Sequence, residues 1–229
     1  PDGFRHVLTF ASVVHDRVYW LRGRHDLFEI EVIGESHLAA LRQQGRGMVF
    51  AGGHFGSFEA LRVVGERHGI DTRMLMFPDN ARKVTAALTS INPALANSVI
   101  GLGRPDSVLR VRDHLQNGGS VGILADRMLG EDKSRDIPFL GEPAPFPVGP
   151  WRLAAMLAAP VVFMAGCYLG GNRYQLVFEP IIDFAQVPAE KRASAMQEAQ
   201  DRFVELLEAR CRQAPWNWFN FYDFWHAQT

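Results

Sequence analysis

Hydrophobic residues along the chain form two alternating kinds of segment. Short apolar runs, typical of buried strands, cover Phe28–Val32, Met48–Ala51, Arg73–Phe77, Val99–Leu102, Ser120–Leu124, Val161–Leu169 and Tyr174–Phe178. Segments with the spacing of amphipathic helices cover Ser36–Arg42, Ser57–His68, Arg82–Thr89, Ser107–Gln116, Pro150–Ala158 and Pro188–Arg212. Strands that alternate with helices predict an α/β fold, a single domain with a mostly parallel central sheet flanked by helices.

Residues 4–22 have the periodicity of an amphipathic helix. Apolar side chains recur at helical spacing at Phe4, Val7, Leu8, Ala11, Val14, Val18 and Leu21. Such a face either packs on the core of a domain or lies in the interface of a membrane, where basic residues contact anionic lipid. Both interpretations stay open, so we divide the chain into an amphipathic N-terminal helix over residues 1–24 and one domain over residues 25–229.

The longest uncharged stretch, Leu153–Asn172, has the length of a membrane span. Pro160 and Gly166 interrupt it. Because proline does not continue a helix, the stretch divides better into a helix over Gly149–Ala158 and a buried strand over Val161–Leu169.

The composition is that of a globular protein with a large core. Of the 229 residues, 47% are hydrophobic and 21% are charged, which excludes a disordered chain. The formal net charge of -1 excludes a global basic field for nucleic acid. Cys167 and Cys211 lie far apart without a CxxC pair, so neither a disulfide scaffold nor a zinc site is expected, and a reducing compartment is favoured.

Ionisable residues follow two of the predicted strands, at the ends where parallel sheets bind ligands. The two segments are Gly52–Glu59 and Ala125–Arg127. We predict that His54 lies in a loop or helix cap, because positions 54 and 59 are about 140° apart on an ideal helix. The positive end of the helix keeps the imidazole neutral, and Glu59 reaches back to orient it as a general base.

Alternative assignments stay open for the residues around His54. A histidine five residues before an acid is common by chance, so a structural histidine fits the spacing as well. Arg62 lies three residues after Glu59 and either pairs with it or holds an anionic group of a substrate. Ser57 lacks the GxSxG surroundings of a nucleophile and is expected to cap the helix.

Blocks of sequence in a fixed order connect these segments with a known family. They are residues 45–50 (GRGMVF), 54–59 (HFGSFE), 125–127 (ADR), 139–150 (FLGEPAPFPVGP) and 215–219 (PWNWF). Together they resemble the lysophospholipid acyltransferase superfamily with its HX4(D/E) signature, and within it the late acyltransferases of lipid A biosynthesis. Residues 15–19 (HDRVY) and 56–62 (GSFEALR) look closest to a bacterial subgroup found with aryl-polyene or xanthomonadin-type pathways.

The resemblance implies an acyltransferase (EC 2.3.1 type) with this acyltransferase fold over residues 25–229. It implies transfer of a fatty or aryl-polyenoyl group from an acyl carrier protein or coenzyme A thioester to a hydroxyl of a lipid or glycolipid. His54 would be the general base with Glu59, and neither a metal nor a cofactor is implied. The substrate-binding residues that follow from the matched blocks and their surroundings are Ser57, Arg62, Asp126, Arg127 and Gly149.

Two further roles follow from the resemblance. Backbone amides near Gly149 or the side chain of Arg127 are expected to bind the oxyanion of the tetrahedral intermediate. Arg127, Lys133 and Arg135 form a basic group able to receive a phosphate of the donor or of the acceptor lipid. The alternative is a solvated loop, in which these side chains pair with the acidic residues Glu131, Asp132 and Asp136.

The chain also departs from the family pattern. Glu59 is an allowed variant of aspartate, Arg127 stands where lipid A enzymes often have glutamine, and residues 220–223 (NFYD) lack the usual arginine. The last two differences mean that the resemblance does not extend to lipid A itself as the acceptor. The family's usual N-terminal membrane helix is missing from this chain. We therefore expect a protein at the cytoplasmic face of the bacterial inner membrane, peripheral or anchored by a segment outside this chain.

The sequence is also compatible with other functions. Aromatic side chains crowd residues 216–225, where they either pack in the core, wall an acyl chain or anchor the protein at a membrane interface. A thioesterase would use the same base with water as acceptor, and a lipid- or carrier-protein-binding module would use His54 structurally. A dinucleotide enzyme is a weaker rival, because residues 101–106 (GLGRPD) carry aspartate at the third glycine of the fingerprint.

Overall fold

The computed structural model describes residues 2–67, 69–103, 105–127 and 133–225. The helices are α1 (Asp2–Leu21), α2 (Glu35–Gln43), α3 (Phe58–Arg67), α4 (Pro78–Ile91), α5 (Pro105–Gln116), α6 (Gly149–Met156) and α7 (Arg192–Gln213). The strands are β1 (Glu29–Ile33), β2 (Val49–Gly56), β3 (Thr72–Met76), β4 (Val99–Gly101), β5 (Ser120–Leu124), β6 (Ser134–Phe139), β7 (Glu142–Pro147), β8 (Pro160–Gly170) and β9 (Arg173–Asp183).

The architecture is a seven-stranded central sheet with the order β1-β9-β8-β2-β5-β3-β4, flanked by helices. Neighbouring strands are parallel throughout, except that β8 and β9 form an antiparallel pair. The predicted single α/β domain with a mostly parallel sheet is confirmed. The uncharged stretch Leu153–Asn172 divides as predicted, because α6 ends at Met156 and β8 begins at Pro160.

The sequence pattern missed the hairpin formed by β6 and β7. This hairpin forms a separate two-stranded antiparallel sheet. Pro138, Pro143, Pro145 and Pro147 interrupt the apolar pattern that normally indicates a strand. A two-stranded sheet tolerates these prolines because each strand has a free edge that needs no backbone donor.

The N-terminal helix α1 packs through a different face from the predicted apolar stripe. Its buried residues are Val13, Trp20 and Leu21, and Trp20 stacks on Phe28 with 3.9 Å between the ring centroids. Of the predicted stripe only Leu21 is buried, whereas its other members, Phe4, Val7, Leu8, Ala11, Val14 and Val18, are exposed. Helical periodicity identifies an apolar face but does not determine which neighbour covers it.

The end of β2 requires glycine at position 56. Gly56 has a φ of +62°, and a Cβ atom built there would lie 1.8 Å from the carbonyl oxygen of Gly166 on β8. The register of the β2–β8 pair also shifts between Gly52 and Gly56. This local distortion ends the strand directly before the next helix.

We expect Gly56→Ala to lower the free energy of unfolding by at least about 2 kcal/mol, because it combines a strained φ with a backbone clash. Gly45→Ala is the matched control, since Gly45 has a φ of +65° with open space around the missing Cβ. It should cost only about 1 kcal/mol. Urea denaturation measures both, and equal losses for the two variants would contradict the clash.

Candidate active site

His54 and Asp126 meet at the carboxyl edge of the central sheet. His54 lies in the last part of β2, and Asp126 follows the adjacent parallel strand β5. The His54 Nδ1 atom is 2.7 Å from Asp126 Oδ1. Parallel neighbours end at the same edge, which brings these residues together although they are far apart in sequence. His54 was predicted in a loop or cap, and the structure corrects this because β2 continues through Gly56.

Asp126 is fully buried and accepts several hydrogen bonds. Its Oδ2 atom accepts from the backbone amide of His54 at 2.9 Å and from the indole Nε1 of Trp218 at 3.1 Å. Burial by itself raises the pKa of Asp126, but the hydrogen bonds and charge of His54 and the charge of Arg127 outweigh it and hold the pKa below its usual value. The carboxyl group is therefore a charged acceptor.

The charged carboxylate determines the state of the His54 ring. Nδ1 must carry the proton that it donates to Asp126, so Nε2 has the free lone pair in the neutral ring. The side chain of His54 is 32% exposed, so a substrate can reach the ring. A buried carboxylate behind a half-exposed imidazole is the arrangement of a general base whose protonated form is stabilised.

Glu59 does not hold the His54 ring, which corrects the predicted pairing. Glu59 is buried on α3, and its Oε1 atom lies 2.8 Å from Nε of Arg17 on α1. Arg62 pairs with Glu66 and not with Glu59, so only its predicted role in holding an anionic group stays a prediction. One helical turn places Arg62 and Glu66 on the same face, whereas Glu59 is directed towards α1.

The remaining predicted site residues have the following positions. Ser57 is fully buried and its Oγ atom accepts from the amide of Ala60 at 3.2 Å, which is the expected helix cap. Gly149 begins α6 and lines neither of the two cavities that open at His54. Arg127, by contrast, lines both cavities.

The predicted basic group does not form as one cluster. Arg135 lies on β6 and is bound by Gln200 and Asp201 on α7, away from the residues that line the cavities at His54. Arg127 contacts the carbonyl oxygen of Phe219 instead. Residues 131 and 132, which the solvated-loop alternative involves, lie outside the described residues, as does residue 68 at the predicted helix end.

The larger cavity at His54 has a volume of about 380 Å³ and mostly apolar walls. Its apolar lining comes from β3, α4 and β5 and includes Met74, Met76, Val84, Leu88, Ile91 and Ile123. Its polar end is formed by Arg17, His54, Glu59 and Arg127. An apolar cavity that ends at a histidine and two arginines fits a molecule with a long hydrocarbon part and a polar reacting end.

A second cavity, of about 260 Å³, is also lined by His54. It shares Arg17, His54, Phe58, Leu124 and Arg127 with the larger cavity. Phe10, Phe219 and Phe221 line its other side. His54 therefore lies at the junction of the two cavities.

The aromatic C-terminal segment is partly buried and partly exposed. Trp218, Phe219 and Phe224 are buried, as a packed core requires, whereas Phe221 and Tyr222 are exposed. Phe219 and Phe221 also line the smaller cavity. The segment therefore covers the core on one side and forms a wall of the candidate site on the other.

Sequence reasoning missed Arg17 and Trp218 as neighbours of the site. Arg17 lies on α1 and Trp218 follows α7, so both reach the site only through tertiary packing. The PWNWF block was the available signal for Trp218, since a polar indole N–H next to core aromatics needs a buried acceptor. Arg17 lies in the HDRVY block, which carried a resemblance but gave no indication that its side chain reaches the site.

The chain is similar to a known protein family. A family model described as bacterial lipid A biosynthesis acyltransferase matches residues 19–227. The match covers α2–α7 and all nine strands, including the segments that carry His54, Asp126 and Trp218. No curated protein matches the chain.

We expect Arg17→Ala to lower the free energy of unfolding by about 1–3 kcal/mol, because it leaves the buried Glu59 carboxylate without its arginine. Arg17 is 45% exposed, which places the loss nearer the lower value. Arg5→Ala, an exposed arginine on the same helix, is the control and should change stability by less than about 0.5 kcal/mol. Glu59→Gln should recover part of the loss in the Arg17→Ala background, and equal stability of Arg17→Ala and Arg5→Ala would contradict the pairing.

Proposed function

Because the chain belongs to the bacterial lipid A biosynthesis acyltransferase family, we propose that it moves an acyl group from a thioester to a hydroxyl group of a lipid acceptor, with His54 as general base. The observation that carries this proposal is the His54–Asp126 hydrogen bond at the junction of two cavities. The larger cavity has mostly apolar walls, as an acyl chain requires. The other opens beside the same base, where an acceptor can enter.

The proposed reaction is a direct transfer. Nε2 of His54 removes the proton of the acceptor hydroxyl while the oxygen attacks the thioester carbonyl carbon. The carbonyl π electrons move onto oxygen and form a tetrahedral oxyanion. When this collapses, the carbon–sulfur bond breaks, and the proton on Nε2 passes to the leaving thiolate. Asp126 stays ionised and stabilises the imidazolium between the two proton transfers.

Arg127 is the proposed oxyanion donor. It lines both cavities next to His54, whereas the other shared arginine, Arg17, is paired with Glu59. Arg127 is also held by the carbonyl oxygen of Phe219 and lies 5.5 Å from the ring centre of Tyr222. A cation held in this way stabilises developing negative charge without a further reorganisation cost.

The donor is proposed to place its acyl chain in the larger cavity. Each buried methylene contributes about 0.8 kcal/mol to binding, so an apolar channel selects a hydrocarbon chain strongly. The acyl group is a fatty acyl or, following the subgroup resemblance, an aryl-polyenoyl group. The thioester carrier is acyl carrier protein or coenzyme A, whose phosphate arm would contact Arg17 and Arg127 at the polar end.

The exposed stripe of α1 is proposed to lie on an anionic membrane surface. Phe4, Val7 and Leu8 are more than half exposed, and Phe10 at the edge of this face contacts Phe221 beside the smaller cavity. Arg5 on α1 and Arg22, directly after its last residue, are exposed and supply positive charge. Within the described residues, no helix is long and apolar enough to cross a bilayer. Docking by α1 would bring the cavity mouth to a lipid acceptor.

The roles of His54 and Asp126 are tested by three variants in an acyl-transfer assay. We expect His54→Ala and Asp126→Asn to lower kcat/KM by about 10²–10⁴-fold, because the first removes the base and the second its charged partner. Glu59→Gln should cost less than Asp126→Asn, because Glu59 contacts Arg17 and not the ring. Thiol release and mass spectrometry of the acylated lipid report the two products.

The same assay separates acyl transfer from hydrolysis. Panels of fatty and aryl-polyenoyl thioesters on acyl carrier protein and on coenzyme A are supplied with and without bacterial lipid extract. Thiol release that does not depend on the lipid would identify a thioesterase and contradict the proposed acceptor. Unchanged turnover in His54→Ala would exclude the proposed base.

Membrane docking is tested by replacing apolar residues of the α1 stripe with aspartate. We expect Val7→Asp with Leu8→Asp to reduce binding to vesicles containing anionic lipid by at least tenfold, because two carboxylates replace buried apolar contacts. Leu109→Asp is the control, since Leu109 is a similarly exposed leucine on α5. Vesicle co-sedimentation at low and physiological salt measures the binding. Equal binding by both variants would show that α1 is not the docking surface.

A further inference from the structure

The indole of Trp218 contacts the carboxylate that lies behind the proposed base. Trp218 Nε1 donates to Asp126 Oδ2 at 3.1 Å, while the His54 ring donates to Oδ1 of the same group at 2.7 Å. Both carboxylate oxygens are therefore occupied by donors. A carboxylate bound on both oxygens is fixed in orientation as well as in charge.

Trp218 is held in this position by contacts on every side. The side chain of the preceding residue, Asn217, bonds both backbone groups of Tyr168 on β8, at 2.8 and 3.1 Å. The following amide, Phe219 N, donates to the carbonyl oxygen of His54 at 2.7 Å. From α1, the His6 ring contacts the carbonyl oxygen of Trp218 at 2.8 Å. The segment is thus joined to β8, to His54 itself and to the N-terminal helix.

Packing also fixes the indole ring. The ring centroid of Trp218 lies 5.1 Å from that of Phe139 and 4.9 Å from that of Phe224, and both contacts are edge-to-face. All three residues are buried. A ring enclosed in this way has little rotational freedom, so its N–H remains directed at Asp126 without further cost in side-chain entropy.

We infer that Trp218 is a positioning residue for the proposed acyl transfer, whose indole N–H holds the Asp126 carboxylate aligned with His54. This inference rests on the proposed function for its catalytic meaning, but the hydrogen bond itself can be tested without activity. Its physical basis is the cost of charge in a buried place. A fully buried carboxylate is stable only when donors replace the water it has lost, and Trp218 supplies one such donor.

Other titratable groups lie near the His54–Asp126 pair, and their titration must be separated from that of the pair. They are His6 and Arg17 from α1, Glu59 from α3, Arg127 beside Asp126, Cys211 from α7 and Tyr222 from the C-terminal segment. Burial raises the pKa of Cys211 and of Tyr222, so both stay neutral while the His54–Asp126 pair titrates. His6 is recognised by its own resonance, which disappears in His6→Gln.

Trp218→Phe tests the inference, because it retains an aromatic ring and removes the N–H donor. Loss of one hydrogen bond to the carboxylate raises the proton affinity of the coupled pair, so its apparent pKa should rise by about one unit. NMR titration of the His54 ring measures this midpoint directly. In the pH profile of kcat/KM, the acidic limb should move up by the same amount, giving a loss of about tenfold below the midpoint and recovery at alkaline pH.

Trp225→Phe is the matched control. Trp225 also donates its indole N–H, at 3.3 Å, but to the carbonyl oxygen of Phe139 and not to Asp126. This variant should leave the His54 midpoint and the acidic limb unchanged. An unchanged midpoint in Trp218→Phe, whatever its activity, would overturn the inference, because a merely structural tryptophan would lower activity equally at all pH values.

A second measurement covers the case in which Trp218→Phe does not fold. In the wild-type protein, the indole N–H resonance of Trp218 should shift with pH at the same midpoint as His54 and should move in Asp126→Asn. An indole resonance that is constant through the His54 titration would overturn the inference. If the wild-type protein shows no acyl transfer, the proposed function fails, while the NMR midpoints still decide the role of Trp218.

Discussion

The hydrogen bond between His54 and the buried carboxylate of Asp126 is the interaction on which the rest of the site depends. A charged carboxylate in a place without water requires donors on both oxygens, and the surrounding chain is arranged to supply them. The backbone of β2 supplies one donor and the C-terminal segment another. Gly53 accommodates this packing, since a Cβ atom there would lie 3.3 Å from Asp126 Oδ2 and 3.0 Å from Leu207.

The N-terminal helix and the C-terminal segment cover this pair together. α1 contacts the C-terminal segment through His6 and Phe10, and it reaches the HX4E block through the Arg17–Glu59 ion pair. Glu59, the acid of that block, therefore joins α1 to α3, whereas Asp126, the partner of His54, follows β5. This arrangement connects the helix proposed to lie on the membrane with the proposed catalytic base in one contiguous set of contacts.

The sequence predicted some elements of the fold and missed others. Elements with local signals were predicted well: β5 agrees at both ends, and the helix and strand within residues 149–170 were separated at Pro160. The β6–β7 hairpin was missed because its prolines obscure the strand pattern. The sequence left open whether the apolar stripe of α1 packs on the core, and in the structure the largest buried side chain of this helix, Trp20, lies off the stripe.

The sequence by itself determined the order along the chain of the strands of the central sheet, its mostly parallel character and the two strand ends at which the candidate site lies. It also singled out His54, because a histidine after two glycines at the end of an apolar run is a local pattern. Only the tertiary structure decided that Asp126, and not Glu59, binds the His54 ring and that Trp218 binds Asp126. The physical reason is that hydrogen bonds between residues 72 and 92 positions apart depend on which strand ends and loops become neighbours, and periodicity along the chain carries no information about that.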